Sequence, residues 1–171
     1  MKGLELARSL YFEKGAVMIK EKFPEYEDRI AAGLAGRGSQ CFGFDDALSR
    51  DHDFETGFCL WLTDEDDASV GVRLAREYRA LLGRAEGEAS ALGTAGVGVM
   101  RISDFYRPYT GTGRAPETWR DWLYLPSHAL AEASNGEVFR DELGEFSRIR
   151  EIIKSGMPED VRRKKLASRL I

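Results

Sequence analysis

Two aspartates one residue apart, Asp51 and Asp53, follow a small-residue turn at Gly38-Ser39. If the aspartate segment is extended, alternate side chains share a face and the two carboxylates converge on one site. They repel each other until a cation arrives, and Mg²⁺ or Mn²⁺ suits them because these ions prefer hard oxygen ligands. The turn offers backbone N–H groups and a serine hydroxyl to an anion. This order of residues predicts a site that grips a triphosphate beside a divalent metal.

The aspartate spacing alone is not specific. The same spacing occurs at Glu25/Glu27, Asp64/Asp66, Glu65/Asp67 and Glu86/Glu88. Such pairs in an acidic chain are ordinarily solvated surface. Asp51 and Asp53 differ because a glycine-rich turn precedes them and the apolar run 58–62, typical of a buried strand, follows them. We therefore favour the functional interpretation over a solvated loop.

The segment resembles the nucleotidyltransferase superfamily, which includes the polymerase-β-like enzymes and the aminoglycoside nucleotidyltransferases. Their signature is a Gly-Ser pair, a loop with a further glycine, and Ser-Asp-x-Asp on a strand. The matching residues here are Gly38, Ser39, Gly43, Ser49, Asp51 and Asp53. The resemblance implies a mixed β-sheet flanked by helices. It also implies that Gly38, Ser39 and Ser49 bind the nucleotide and that the two aspartates hold the metal.

The wider chain is similar to an uncharacterised bacterial group of nucleotidyltransferase-like domains of unknown function. The segments that carry this likeness are 23–30, 49–54, 135–141 and 158–162. Members of that group typically continue into a helical domain. We therefore expect a nucleotidyltransferase-like domain over residues 1–156 and a C-terminal helix over 157–171 that begins such a helical domain.

In the superfamily a third carboxylate, on a neighbouring strand, completes the metal cluster and often deprotonates the acceptor. Our candidate is Asp104, because it closes a strand predicted over residues 97–106. The alternative role for Asp104 is to cap the turn before Pro108. Glu137 and Asp141 are the reserve candidates.

Composition limits the class of protein. The 171 residues support one domain with a real core. Since 29 acidic residues outnumber 25 basic ones, the net charge of −4 does not indicate nucleic-acid binding. One basic patch, at residues 162–165 with Arg169, is interpreted as the solvated face of a terminal helix.

Other features indicate a cytoplasmic protein with no membrane partner. No apolar run approaches the roughly 20 residues of a membrane helix, and the N-terminus lacks the pattern of a signal peptide. Two cysteines and two histidines are too few for a disulfide scaffold or a zinc-finger ligand set. We expect Cys59 to pack in the core.

The periodicity predicts alternating helices and strands, which is typical of an α/β or α+β fold. A first helix over 4–23 has a weak point at Gly15. Thr63 has the position of a helix N-cap. Trp119 and Trp122 are expected to face inward from a short helix. The predicted strands are 29–35, 54–62, 97–106 and 138–139, and later helices begin near Pro116, Pro126, Phe146 and Pro158.

Three functions remain open at this point. The first is an enzyme that moves a nucleoside monophosphate from an NTP to a hydroxyl or phosphate acceptor, with Asp51, Asp53 and Asp104 as catalytic residues. The second is a catalytically inactive nucleotide-binding or regulatory module on the same fold, suggested by the short chain and by Arg50, which separates Ser49 from Asp51. The third is an interaction subunit. The acceptor, the base preference and the oligomeric state stay undetermined.

Overall fold

A four-stranded mixed β-sheet flanked by helices forms the centre of the protein. The structure is a computed structural model that describes residues 3–36, 57–83 and 97–168. The strands are β1 (Ala31–Leu34), β2 (Cys59–Leu62), β3 (Gly98–Arg101) and β4 (Glu137–Arg140), in the spatial order β3-β2-β1-β4. β1 runs antiparallel to β2 and β4, whereas β2 and β3 are parallel. The predicted α/β fold with a mixed sheet is confirmed.

Helices cover both faces of this sheet. They are α1 (Gly3–Leu10), α2 (Ala16–Lys22), α3 (Asp64–Asp66), α4 (Val72–Leu81), α5 (Ile102–Thr110), α6 (Trp119–Tyr124), α7 (Ser127–Ser134), α8 (Glu145–Ser155) and α9 (Glu159–Ser168). A π-helical segment, Tyr11–Gly15, joins α1 to α2, and a second one, Asp67–Gly71, joins α3 to α4. The segment Pro24–Tyr26 forms a 3₁₀ turn.

The alternation of side chains along the strands divides the core into two layers. One layer holds Ala32, Leu34, Phe58, Leu60 and Leu62 with apolar residues of α1, α2 and α4. The opposite layer holds Ala31, Cys59, Trp61 and Met100 with apolar residues of α5, α7 and α8. Each strand of the central pair is therefore buried on both faces, and Cys59 is buried as predicted.

The first helix follows its predicted course with a local change at Gly15. The helix widens into a π-helical segment that ends at this residue instead of breaking there. A Cβ atom at Gly15 would lie 2.6 Å from Cζ of Phe58. Glycine is therefore favoured here, because the backbone of the helix packs directly against the ring of Phe58.

The predicted strand over 97–106 is wrong in its second half. β3 ends at Arg101, and α5 begins at the next residue. The decisive pattern is a set of buried side chains at helical spacing, Ile102, Phe105, Tyr106 and Tyr109. The alternation that favoured a strand extends only over the first residues of the segment.

Along the paired stretch, four residues of β4 lie opposite three residues of β1. Ala32 pairs with Arg140 and Gly33 pairs with Val138, so Phe139 has no partner on β1. This arrangement is a β-bulge. The ring of Phe139 stacks on Tyr11 with 5.9 Å between the ring centroids.

The C-terminal part packs as a small third cluster. Val161 of α9 contacts Trp122 and Leu125, which confirms that Trp122 faces inward. Trp119 was expected to do the same, but 52% of this residue is exposed. Within the three described ranges, none of the helices combines the length and the apolar character needed to traverse a bilayer.

Candidate functional site

Most of the residues singled out from the sequence lie between β1 and β2. Gly38, Ser39, Ser49, Asp51 and Asp53 all lie in the interval 37–56, outside the residues that the structure describes. The structure does describe the two chain ends that bound this interval, Gly36 and Gly57.

Both chain ends lie at one edge of the sheet. Because β1 and β2 are antiparallel and Gly33 pairs with Cys59, β1 leaves the sheet where β2 enters it. β3 also begins here, since Gly98 pairs with Cys59, and so does β4, since Glu137 pairs with Leu34. We call this edge, formed by Leu34, Cys59, Gly98 and Glu137, the exit edge. The far edge is formed by the other ends of the four strands.

A side-chain amide holds the backbone where β1 leaves the sheet. The N–H of Gly36 donates to Oδ1 of Asn135 at 2.8 Å, and Nδ2 of Asn135 donates to the Gly36 carbonyl at 2.6 Å. Gly36 has a positive φ of 99°, which favours glycine. Asn135 thus fixes both polar groups of the residue from which the chain enters the interval 37–56.

A buried arginine of α8, Arg150, holds the backbone of Asn135 and Gly136 in place. Nη1 of Arg150 donates to the Asn135 carbonyl at 2.7 Å, and Nη2 donates to the Gly136 carbonyl at 2.9 Å. Only 8% of Arg150 is exposed. Gly136 has a φ of 74°, and a Cβ atom there would lie 2.0 Å from the Leu34 carbonyl oxygen. The Asn-Gly turn is therefore fixed by α8 on one side and by β1 on the other.

One carboxylate of the predicted set lies at the exit edge. Glu137 begins β4 and forms an ion pair with Arg8 of α1. The side chains of Arg8 and Glu137 are 56% and 37% exposed. An exposed pair of this kind contributes little net stability, so the carboxylate can exchange partners.

Asp104 lies at the far edge instead. β2 and β3 are parallel, and their last residues, Leu62 and Arg101, pair with each other at the far edge. Asp104 follows Arg101 by three residues and therefore lies at this edge too. It occupies the first turn of α5. Nε and Nη2 of Arg101 donate to its two carboxylate oxygens at 2.8 and 2.9 Å, and Arg107 adds a contact at 3.1 Å. Its hydrogen bonds to Arg101 and the nearby arginine charges lower the pKa of Asp104, although burial opposes this shift.

This pairing predicts a pH-dependent contribution to stability. The pKa of Asp104 is lower in the folded chain than the value of about 3.9 expected after unfolding. The carboxylate therefore stabilises the fold above that value, and the contribution is lost as the pH falls through the lower folded pKa. We expect Asp104→Asn to reduce the free energy of unfolding by about 1 kcal/mol at pH 7. Urea unfolding between pH 2 and 7 checks this, and a difference that stayed constant over the whole range would refute the charge pairing.

Asp141, the other reserve carboxylate, has a structural role. Its Oδ1 accepts from the N–H of Gly144 at 2.9 Å and its Oδ2 accepts from that of Ser147 at 2.8 Å. Both donors lie at the start of α8, where backbone N–H groups need external acceptors. Asp141 follows β4 and therefore also lies at the far edge.

Within the described ranges, no group of three or more histidine, cysteine, aspartate or glutamate side chains is placed so that it could hold a metal ion. Glu137 offers a single carboxylate at the exit edge, and further oxygen ligands would have to come from residues outside those ranges.

A cleft lined by both cations and carboxylates lies at the far edge. Its volume is about 580 Å³. The charged residues that line it are Arg29, Asp64, Arg114, Glu117, Glu145 and Arg148. Nε of Arg29 contacts Asp66 at 2.8 Å, and Arg148 contacts Glu145 at 2.8 Å. Because cations and carboxylates are equal in number, this cleft does not favour an anionic ligand.

Sequence reasoning missed the roles of Asn135 and Arg150. The Asn-Gly pair is a common signal for the end of a helix, and α7 does end at Ser134. The available signal was the polar Asn135 next to a glycine. Its partner is 99 residues away in the chain, so no local pattern indicates the contact.

Comparison with known proteins adds a match at the C-terminal end. A family model described as a domain of unknown function (DUF4037) matches residues 122–171. No curated protein and no solved structure matches the chain. The family match covers α7, β4, α8 and α9, and thus includes Asn135, Glu137 and Arg150.

Proposed function

We propose that the protein is a metal-dependent nucleotidyltransferase that moves a nucleoside monophosphate from an NTP to a hydroxyl or phosphate acceptor. One observation supports this most strongly: the chain ends that bound residues 37–56 both lie at the exit edge. Ser39 follows Gly36 by three residues, and Asp53 precedes Gly57 by four. At no more than about 3.6 Å per residue, they lie within roughly 11 and 14 Å of those ends. Ser39 and Asp53 are thus joined to the same edge by short lengths of chain.

The proposed reaction assigns a task to each group. The N–H groups of the Gly38-Ser39 turn and the hydroxyls of Ser39 and Ser49 bind phosphate oxygens. Asp51 and Asp53 would hold Mg²⁺, which supplies charge stabilisation for phosphoryl transfer. The acceptor oxygen attacks the α-phosphorus, the bond to pyrophosphate breaks, and the acceptor proton passes to a carboxylate.

We assign that carboxylate to Glu137 in place of Asp104. Glu137 lies at the exit edge, whereas Asp104 lies beyond the opposite end of β3 and is held by two arginines. Asp53 is joined to the described chain at Gly57, just before the start of β2. The full length of β2 lies between that residue and the far edge, where Asp104 lies. Glu137 gives up only an exposed ion pair when it accepts a proton from the acceptor.

The function is tested first with the unmodified chain. Mg²⁺, each of the four NTPs and a panel of hydroxyl and phosphate acceptors are combined, and pyrophosphate release is measured. Calorimetry of NTP binding is carried out in parallel. NTP binding without pyrophosphate release from any acceptor would support the inactive nucleotide-binding module, and the absence of Mg²⁺-dependent NTP binding would refute both functions.

The assignment of Glu137 predicts a specific change in rate. Glu137→Gln should lower kcat by about 10²–10⁴-fold, the usual contribution of a general base, and should change KM little. Arg8→Gln is the matched control, because it breaks the same ion pair but leaves the carboxylate. Steady-state kinetics on both variants and on Asp104→Asn decide between the two acids, and a large loss in Asp104→Asn alone would restore Asp104 to the role.

A further inference from the structure

Large aromatic and apolar side chains are exposed where α6 packs against α9. Trp119 and Tyr124 of α6 are 52% and 81% exposed, and Leu166 of α9 is 54% exposed. Trp119 is the exposed member of the three tryptophans in the chain, since Trp61 and Trp122 are buried. We call this surface, formed by Trp119, Arg120, Tyr124, Arg162, Arg163, Lys164 and Leu166, the α6–α9 face.

Cationic side chains surround the exposed tryptophan. Nζ of Lys164 lies 5.5 Å from the centroid of the Trp119 ring, and Cζ of Arg120 lies 5.6 Å from it. These are cation–π distances. The Lys164 contact joins Trp119 of α6 to the cationic surface of α9, 45 residues later in the chain.

α9 is more basic than its surroundings. Four consecutive cations, at residues 162–165, follow Glu159 and Asp160. One of these cations, Arg163, pairs with Glu159, and both side chains are about three-quarters exposed. Because such an exposed pair is weak, Arg163 can turn to another anion. The face is thus locally positive on a chain with a net charge of −4.

A groove continues the face on the flank of α9 that carries Arg162 and Leu166. Its volume is about 380 Å³, and Arg162 and Leu166 line it together with Met157 and Leu130. Arg162 and Lys164 lie on opposite sides of the buried Val161 in the helical projection, and Arg163 projects between them away from the core. A chain of anionic groups that crosses α9 from Trp119 to the groove would pass all three cations.

We propose that the α6–α9 face binds single-stranded nucleic acid, with a base stacked on the exposed Trp119 ring in place of the Lys164 ammonium, and with backbone phosphates on Arg162, Arg163 and the displaced Lys164. Aromatic stacking beside cations is the pattern by which proteins hold single strands without reading their sequence. A duplex would not use Trp119, because its bases are already stacked. A second copy of this protein is disfavoured, because two positive faces repel each other. The proposal does not depend on the nucleotidyltransferase activity, since it concerns binding alone.

Fluorescence anisotropy on the full chain tests this binding. The probes are labelled oligo-U and oligo-dT of about 12 nucleotides and a duplex of the same length. We expect the single strands to bind with a Kd of about 1–100 μM at 50 mM salt and to weaken as salt rises to about 200 mM. Tighter binding of oligo-U would identify RNA as the source of the ligand, and tighter binding of oligo-dT would identify DNA. The duplex should bind more weakly than either single strand.

Two pairs of variants separate this face from general effects. Trp119→Ala should weaken single-strand binding about tenfold, whereas Phe12→Ala, which removes a 47% exposed ring that also lies beside an arginine, should not. Arg162→Glu with Lys164→Glu should abolish binding. The control is Lys14→Glu with Lys20→Glu, which changes the net charge by the same amount on exposed residues of another region. It should weaken single-strand binding only slightly.

Several results would overturn the proposal. They are no binding of either single strand at 50 mM salt, equal losses in the Trp119→Ala and Phe12→Ala variants, equal losses in the two charge-reversal variants, and duplex binding as tight as single-strand binding. Self-association that Trp119→Ala abolishes, with no oligonucleotide bound, would instead assign the face to a second copy of the chain.

Discussion

Joint replacement of Asp51 and Asp53 by asparagine is expected to reduce Mg²⁺-dependent pyrophosphate release by about a thousandfold or more. Two carboxylates that share a cation supply several kcal/mol of transition-state stabilisation, and each 1.36 kcal/mol corresponds to a factor of ten in rate. Because asparagine retains the shape but not the charge, folding should be unaffected. Single-turnover measurement of pyrophosphate with saturating NTP reports the chemical step directly.

The matched control for this variant is Glu86→Gln with Glu88→Gln, which removes two carboxylates of the same spacing from another segment. It should retain the rate of the unmodified chain. Tight NTP binding that the Asp51/Asp53 replacement leaves unchanged, together with an unchanged rate, would falsify the nucleotidyltransferase proposal. Loss of activity in the control as well would point to a general effect of charge.

Replacement of Arg150 by methionine is expected to cause the largest loss of stability among the charged residues described. The change leaves the carbonyl oxygens of Asn135 and Gly136 without the hydrogen bonds that Arg150 donates. Each unsatisfied acceptor at this partly buried position costs about 1–2 kcal/mol, so the free energy of unfolding should fall by about 2–4 kcal/mol. Chemical denaturation monitored by circular dichroism measures this change, and Tm should fall by about 2–4 °C per kcal/mol.

Arg148→Met is the control for Arg150→Met, since it removes an arginine from the same helix. Arg148 forms an exposed pair with Glu145, so its loss should cost less than about 1 kcal/mol. If the two variants lost equal stability, the buried contacts of Arg150 would not explain its effect. If Arg150→Met is stable but binds NTP poorly, the contact instead positions the exit edge without contributing to folding.

The sequence was sufficient to predict elements whose signals are local. Thr63 was expected to cap a helix, and its Oγ1 accepts from the N–H of Asp66 at 3.1 Å. The strands at β1 and β4 and the helix starts near Pro126 and Pro158 lie where turn residues and periodicity indicated. These features depend on residues within one or two turns of each other, so they can be derived without knowledge of the tertiary structure.

Features that depend on packing were not predictable in the same way. The strand predicted up to residue 106 became α5 because Phe105 and Tyr106 pack with Phe146 of α8, about 40 residues later. The burial of Trp122 was predicted correctly and that of Trp119 was not, although both have an aromatic ring on the same short helix. The packing of α7, α8 and α9 around α6 determines which of them is covered.

The two strands that flank the candidate site were predictable from the sequence, but the residues that surround it were not. A strand before Gly38-Ser39 and another after Asp53 were expected, and the antiparallel pairing brings the ends of both to one edge. The location of Asp104 at the far edge follows from the parallel pairing of β2 and β3, which sequence does not reveal. Asn135 illustrates the same limit, because its role depends on Gly36.

The unpaired Phe139 in β4 limits which insertions and deletions the β1–β4 pair can accept. In a regular strand consecutive side chains point to opposite faces of the sheet. Phe139 and Arg140 could then not both lie on the face that α1 and α2 cover. The bulge allows Phe139 to stack on Tyr11 while Arg140 reaches Glu27 and Asp28. Deletion of one residue here would straighten the strand, invert one of these two side chains and force a choice between the aromatic contact and the ionic one. The number of residues in β4 is thus constrained by both contacts at once.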